Sequence, residues 1–224
     1  MSFKNICLAI FKGILAGLAI GLGGFLFILV TTYVEGELGK ILGALVFPVG
    51  LFLVCTFYLF LYTGKIGLVF EKKQTKEFYI SLPLMFIGNI LGSLAIGYLC
   101  FAIFKDTKIF LRAEYVSSLR MNFDDYQGYF ACFIKSLLCG LCVYLAVKSF
   151  AFRRLRPVGI LLMVFFISAF VYLGLEHCIA NAYYFSFSNS WSEPRVYIDM
   201  ALCVLGNSLG TIPGVLLLKI VKKD

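Results

Sequence analysis

Charge is scarce in this chain of 224 residues: 14% are Asp, Glu, Lys or Arg, while 61% are hydrophobic. Soluble domains carry about a quarter charged residues and about half apolar ones, so water cannot be the solvent for most of this chain's surface. A mean hydropathy of +0.94 makes lipid that solvent. Histidine is nearly missing, His177 being the only one, and the eight cysteines form a single C-x-x-C string, Cys139-Gly140-Leu141-Cys142, inside an apolar run, with no second such pair to complete four ligands. This excludes a structural zinc site, and no metal or cofactor is implied. The cysteines (Cys7, Cys55, Cys100, Cys132, Cys139, Cys142, Cys178 and Cys203) lie almost entirely inside apolar runs and read as small buried hydrophobes kept reduced. No A-x-A-like cleavage site follows the first apolar run, 7–30, which is too long for a signal-peptide core and reads as a membrane span. A span takes about 20 residues, so six spans with short loops use up the chain. No room is left for a soluble catalytic domain, and any function must sit between helices.

Six spans are predicted at 7–31, 41–70, 80–103, 129–150, 158–185 and 196–221. The net charge of +8 belongs to topology rather than nucleic acid, because Lys and Arg cluster at span ends. Lys65, Lys72, Lys73 and Lys76 stand at or after the end of span 2; Lys148, Arg153, Arg154 and Arg156 at or after the end of span 4; Lys219, Lys222 and Lys223 close the chain. The positive-inside rule puts these on the cytoplasmic side of a cell (inner) membrane, with both termini inside. Spans 2 and 5 look interrupted, the second by Pro48, Gly50 and the string Tyr62-Thr63-Gly64-Lys65, the fifth by Gly174-Leu175-Glu176-His177.

An internal repeat organises the rest. Ile10-Phe11-Lys12-Gly13-Ile14-Leu15-Ala16-Gly17-Leu18 aligns with Phe133-Ile134-Lys135-Ser136-Leu137-Leu138-Cys139-Gly140-Leu141. Phe86-Ile87-Gly88-Asn89-Ile90-Leu91-Gly92-Ser93 aligns with Val204-Leu205-Gly206-Asn207-Ser208-Leu209-Gly210-Thr211. Span 1 thus pairs with span 4 and span 3 with span 6, leaving the interrupted spans 2 and 5 as the third pair. Chance matching of Gly/Leu-rich strings is the alternative; the shared Lys, the shared Gly-Asn and the constant order argue against it. Three spans per half is an odd number, so residues 1–104 and 127–224 form an inverted 3+3 repeat joined by a loop at 105–126. The chain then reads as one transmembrane domain, an all-α membrane bundle. Broken helices at matching places of an inverted repeat point to a binding or permeation site at the interface.

His177 beside Glu176 at membrane depth is a functional candidate by default, since ionisable groups there are costly; the alternative is a neutral ring tied to a backbone carbonyl. Glu176 points to another side and is expected to cap helix amides or meet a neighbouring helix. Thr63 stands where a helix restarts, positioned to cap it and to offer a hydroxyl to a passing ligand, with the restarted helix presenting its amides to an anion. Lys12 and Lys135 occupy equivalent repeat positions and are expected to attract anions into one vestibule each; snorkelling to headgroups is the plain alternative.

These strings resemble the formate/nitrite transporter family over nearly the whole chain. Phe11-Lys12-Gly13-Ile14-Leu15-Ala16-Gly17 is similar to its first-span signature, Leu61-Tyr62-Thr63-Gly64 to the L-F-T-[GS] closing its Ω-shaped loop, and Phe86-Ile87-Gly88-Asn89 to its F-x-G-N. Glu176-His177-Cys178-Ile179-Ala180-Asn181-Ala182 resembles its E-H-[SC]-[IV]-A-N-M, the most specific string, and Leu205-Gly206-Asn207 its last-span G-N. The resemblance implies an aquaporin-like six-transmembrane-helix bundle with broken helices 2 and 5, a homopentamer with one pore per subunit, and Thr63 and His177 flanking the central site. It further implies hydrophobic constrictions at Phe47, Leu51 and Phe170 on the outer side and at Leu61, Tyr62 and Val143 on the inner side. Glu176 and Asn181 would support the site.

Two positions depart from the family pattern: Gly140 stands where a fourth-span Asn helps orient the central pair, and Phe60 where an acid precedes the loop Thr. The implied substrates are monovalent weak-acid anions such as formate, nitrite or hydrosulfide, crossing with a proton because a bare anion in an apolar constriction costs many kcal/mol. The alternatives are a passive anion channel, a neutral-solute channel, though paired Asn-Pro-Ala boxes are absent, or a non-transporting membrane subunit. An enzyme would need a second acid/base group or a metal set near the only His, and the sequence offers neither.

Overall fold

The computed structural model describes residues 1–151 and 156–221. Arg153, Arg154, Lys222 and Lys223, assigned above to the cytoplasmic side, lie outside the described residues. The regular elements among the described residues are all helices: α1 (Phe3–Tyr33), α2 (Gly36–Val46), α3 (Val49–Thr56), α4 (Tyr62–Lys65), α5 (Leu68–Glu71), α6 (Lys76–Phe104), α7 (Lys108–Arg120), α8 (Tyr126–Phe150), α9 (Arg156–Tyr172), α10 (Cys178–Phe187), α11 (Pro194–Leu209) and α12 (Thr211–Val221). Five helical stretches are long and apolar enough to cross a membrane, namely Phe3–Tyr33, Gly36–Thr56, Lys76–Phe104, Tyr126–Phe150 and Pro194–Ile220; Arg156–Tyr172 is a shorter apolar helix.

Local chemistry explains several boundaries. Ser2, Thr75 and Asp125 cap α1, α6 and α8 by accepting the amides of Asn5, Phe78 and Gly128. Pro48, which has no N–H, sits at the joint between α2 and α3. The loop expected at 105–126 instead holds α7, whose Ile109, Ala113, Val116 and Ser117 are buried. It packs on α1 and α10, which gives its few apolar residues a surface that no periodicity in so short a segment announces.

Two packing relations dominate: α1 against α6, and α8 against α11. Small residues permit both. A Cβ on Gly13 would meet the Met85 carbonyl oxygen at 2.7 Å and the Gly88 Cα at 3.1 Å, and one on Gly140 would lie 2.8 Å from the Asn207 Cα. The two packed pairs correspond to each other under the repeat, which aligns span 1 with span 4 and span 3 with span 6.

The helix ends between them also correspond. At the end of α3 the amide of Leu59 bonds to the Val54 carbonyl (2.9 Å) and that of Tyr58 to Cys55 (3.5 Å). After α9 the amide of Leu175 bonds to Phe170 (3.0 Å) and that of Gly174 to Val171 (3.1 Å). Both are Schellman stops, with Tyr58 (φ 52°) and Gly174 (φ 62°) in the left-handed position that such a stop requires. Glycine adopts it freely; a tyrosine there is strained. The chain then runs non-helically through 57–61 to α4 and through 173–177 to α10.

Candidate functional site

Asn89 and Asn207 stitch these two non-helical segments in the same way. The Asn89 side-chain amide donates to the carbonyls of Gly13 (2.9 Å) and Phe60 (2.8 Å), while its Oδ1 accepts from the Tyr62 amide (2.8 Å). The Asn207 amide donates to Ser136 (2.7 Å) and Glu176 (2.8 Å), and its Oδ1 accepts from the Cys178 amide (3.0 Å). Gly13 and Ser136 are aligned in the repeat, so Phe60 corresponds to Glu176 and Tyr62 to Cys178. Both asparagines are fully buried. Their amides satisfy backbone groups that lost their helical partners, which would otherwise be orphaned in an apolar interior.

Thr63 and His177 meet across the interior: Thr63 Oγ1 and His177 Nε2 are 2.9 Å apart, both residues being buried. Thr63 does not cap its helix. It is the second residue of α4, whose cap position is Leu61, and α4 is a single turn of four residues, too short for a substantial helix field. Capping falls to His177 instead, whose Nδ1 accepts the Ala180 amide at the start of α10 (3.2 Å). An Nδ1 that accepts a hydrogen bond carries no proton, so the network assigns the ring proton to Nε2, which donates to the Thr63 oxygen. The Thr63 hydroxyl hydrogen is then left to point elsewhere.

The surroundings of this pair are aromatic and apolar. The Phe170 ring centroid lies 5.8 Å from that of His177 and 5.6 Å from that of Phe47. Phe47, Leu51, Leu61, Val143 and Phe170 belong to one buried cluster, each at most 4% exposed. Tyr62 lies apart from it, half-buried, with its hydroxyl 2.9 Å from Ser208 Oγ and its ring 5.1 Å from that of Phe86.

Glu176 faces away from the Thr63–His177 pair. Arg120 of α7 donates to Glu176 Oε2 (2.6 Å) and to the Leu175 carbonyl (2.9 Å). Asn181 donates to Glu176 Oε2 (2.9 Å) and Asp199 Oδ2 (2.9 Å). Arg120 and Asp199 were missed from sequence. Asp199 had a signal, an acid inside the sixth apolar run; Arg120 had none, since a loop arginine among acids reads as ordinary surface charge.

The two lysines differ in setting. Lys12 is half-buried; its Nζ donates to the Tyr58 carbonyl (3.4 Å) and lies 5.1 Å from the Phe60 ring centre. Lys135 is exposed and has no hydrogen-bond partner among the described residues. Gly140 lies against Asn207, where the α8–α11 spacing leaves no room for a side chain. The family's asparagine therefore does not fit this position at the observed spacing.

A membrane-embedded helical bundle whose buried polar pair lies where two helices are interrupted is the build of a transport protein. Residues 3–221 match the profile of the formate/nitrite transporter family, and the chain belongs to that family. A relative described as the uncharacterized transporter YrhG of Bacillus subtilis (strain 168) is 29% identical over 210 residues, covering 88% of this chain and 78% of the relative. In fold the chain is similar to a pentameric formate channel with formate bound, with a TM-score of 0.83, 20% identity, and 100% and 99% of the two chains covered. It is also similar to an ion channel of the same family, with a TM-score of 0.76, 19% identity, and 93% and 91% covered.

Proposed function

We propose that the chain carries small monovalent weak-acid anions, of the formate and nitrite type and including hydrosulfide, across a cell (inner) membrane, passing Thr63 and His177 with a proton. The observation that carries this reading is the buried 2.9 Å contact between Thr63 Oγ1 and His177 Nε2; the reading adds an outer constriction at Phe47, Leu51 and Phe170 and an inner one at Leu61, Tyr62 and Val143. A bare anion pressed between such side chains loses its hydration, whereas the neutral acid does not. Falling dielectric along the approach raises the anion's affinity for a proton. Lys12 and Lys135 draw the anion in, and the proton comes from water, helped by His177 through hydrogen bonds that Nε2–H and the Thr63 hydroxyl donate to the arriving species; with Nδ1 committed to the Ala180 amide the neutral ring has no second proton to give. Glu176 and Asn181 hold the chain that presents His177, and Gly140 lets α8 approach α11 closely at Asn207.

The architecture that goes with this function is six spans in two inverted halves, 1–104 and 127–224, linked by 105–126, with α2–α3–α4 and α9–α10 as broken spans 2 and 5. Matching asparagine stitches and Schellman stops support it. Both termini are cytoplasmic, and the protein is a homopentamer in the bilayer, as the similar formate channel is described. A plain anion channel is the second reading, favoured by the occupied Nδ1, which keeps the ring neutral. A panel of formate, nitrite, acetate and hydrosulfide in proteoliposomes, with planar-bilayer recording alongside, tests both readings. Uptake of the anions without current supports the proposal, a steady anion current supports the channel, and neither uptake nor current with any of the four overturns both.

A further inference from the structure

One cavity, of about 600 Å³, opens against Leu61; its lining includes Cys55, Gly64, Lys65, Val147 and Arg156 and, among the described residues, no carboxylate. Two other cations near this face are already engaged. Lys148 is ion-paired to Glu71 at 2.5 Å, and Lys12 donates to the Tyr58 carbonyl. Lys65 differs, being half-buried with no acid or hydrogen-bond partner among the described residues. Its Nζ lies 5.6 Å from the centre of the Phe60 ring, whose other near cation is Lys12 at 5.1 Å. An aromatic ring between two ammonium groups helps to place them but neutralises neither. The result is an unneutralised ammonium on an apolar wall, beside Leu61 and Gly64 and two residues after Thr63. Low-dielectric walls around a single sign of charge concentrate the opposite ion.

We propose that Lys65, with Arg156, forms an anion-collecting site in this cavity that delivers small monovalent anions to Leu61, a role separate from that of Lys12. Its purpose rests on the transport reading above, but anion enrichment in the cavity does not. Cys55 in the lining provides a reporter. With Cys7→Ser and Cys142→Ala removing the other accessible thiols, Cys55 is reacted with anionic sulfonatoethyl and cationic trimethylammonioethyl methanethiosulfonates. The ratio of the anionic to the cationic rate reads the local potential. The two reagents differ by two unit charges, so Lys65→Gln lowers the ratio about tenfold for a cation a few Å from the thiol, while Lys65→Arg preserves it. In the parent the ratio also falls as salt is raised, a measurement that needs no variant. A ratio indifferent to Lys65→Gln and to salt overturns the proposal, as does a Cys55 inert to both reagents, which would mean the cavity is closed to water. A ratio that falls as expected in protein that takes up no anion leaves the collecting site standing and removes the transport reading instead.

Discussion

Position 140 carries the smallest residue because α8 crosses α11 there with a Cβ's width to spare for neither helix. Restoring the family's side chain with Gly140→Asn forces overpacking and costs about 1–3 kcal/mol, visible as a lower melting temperature in detergent; an unchanged melting temperature would show that the two helices separate freely. Asn207 acts in the opposite sense, by satisfying groups rather than by vacating space. Asn207→Ala strands the Cys178 amide and the Ser136 and Glu176 carbonyls. At about 1–3 kcal/mol for each stranded group, the loss exceeds that of most single substitutions; thermal unfolding beside the matched Asn89→Ala variant measures it, and the two should fall together. The Gly-Asn strings were legible as a repeat, but not as stitches. Nothing in a sequence says which orphaned backbone groups an asparagine will face until the broken segments are placed beside it.

Among the elements, α7 shows how a connecting segment becomes structural. Only its last residue, Arg120, reaches the carboxylate of Glu176, and that ion pair is buried, at 12% and 5% side-chain exposure. Arg120→Ala leaves an uncompensated buried charge and costs about 3–5 kcal/mol, whereas Arg120→Ala combined with Glu176→Gln recovers a good part of the loss. Melting curves of the single and double variants decide this, and equal destabilisation would contradict it. The apolar runs announced the long helices α1, α6 and α8 because lipid contact imposes composition over many residues. Short α7 escaped notice, since its contacts come from tertiary packing and its composition is that of a loop. The stop at Gly174 was readable from its residue type, whereas the matching stop at Tyr58 was not, because no residue suited to the left-handed position marks it and the expected signal, Pro48, lies within an apolar helical stretch that runs on to Thr56. The exchange of roles between Thr63 and His177, in which the histidine caps a helix and the threonine faces inward, was not readable either, because a cap depends on one residue of register.

Across the whole molecule, the pieces converge on one buried contact between a threonine in the single-turn helix α4 and the histidine that caps α10. Both were legible as candidates from chemistry out of place in an apolar sequence, and the correspondence of Asn89 with Asn207 was legible from repeated strings. The 2.9 Å approach of Thr63 to His177 was not, since it needs both breaks folded toward each other. If the molecule is a pentamer, light scattering of the purified protein, corrected for detergent, gives five times the 25.1 kDa chain mass; a monomer would remove the assembly from the proposal. The central claim is passage of a weak acid with its proton past Thr63 and His177. Its most direct test is uptake of labelled formate into proteoliposomes at fixed internal pH while external pH is lowered from 8 to 5, in the parent and in His177→Ala. Uptake in the parent that climbs with acidification, by up to about tenfold per pH unit while the anion predominates, and that His177→Ala strongly reduces is the predicted result. Uptake indifferent to external pH, with His177→Ala fully active, would contradict it.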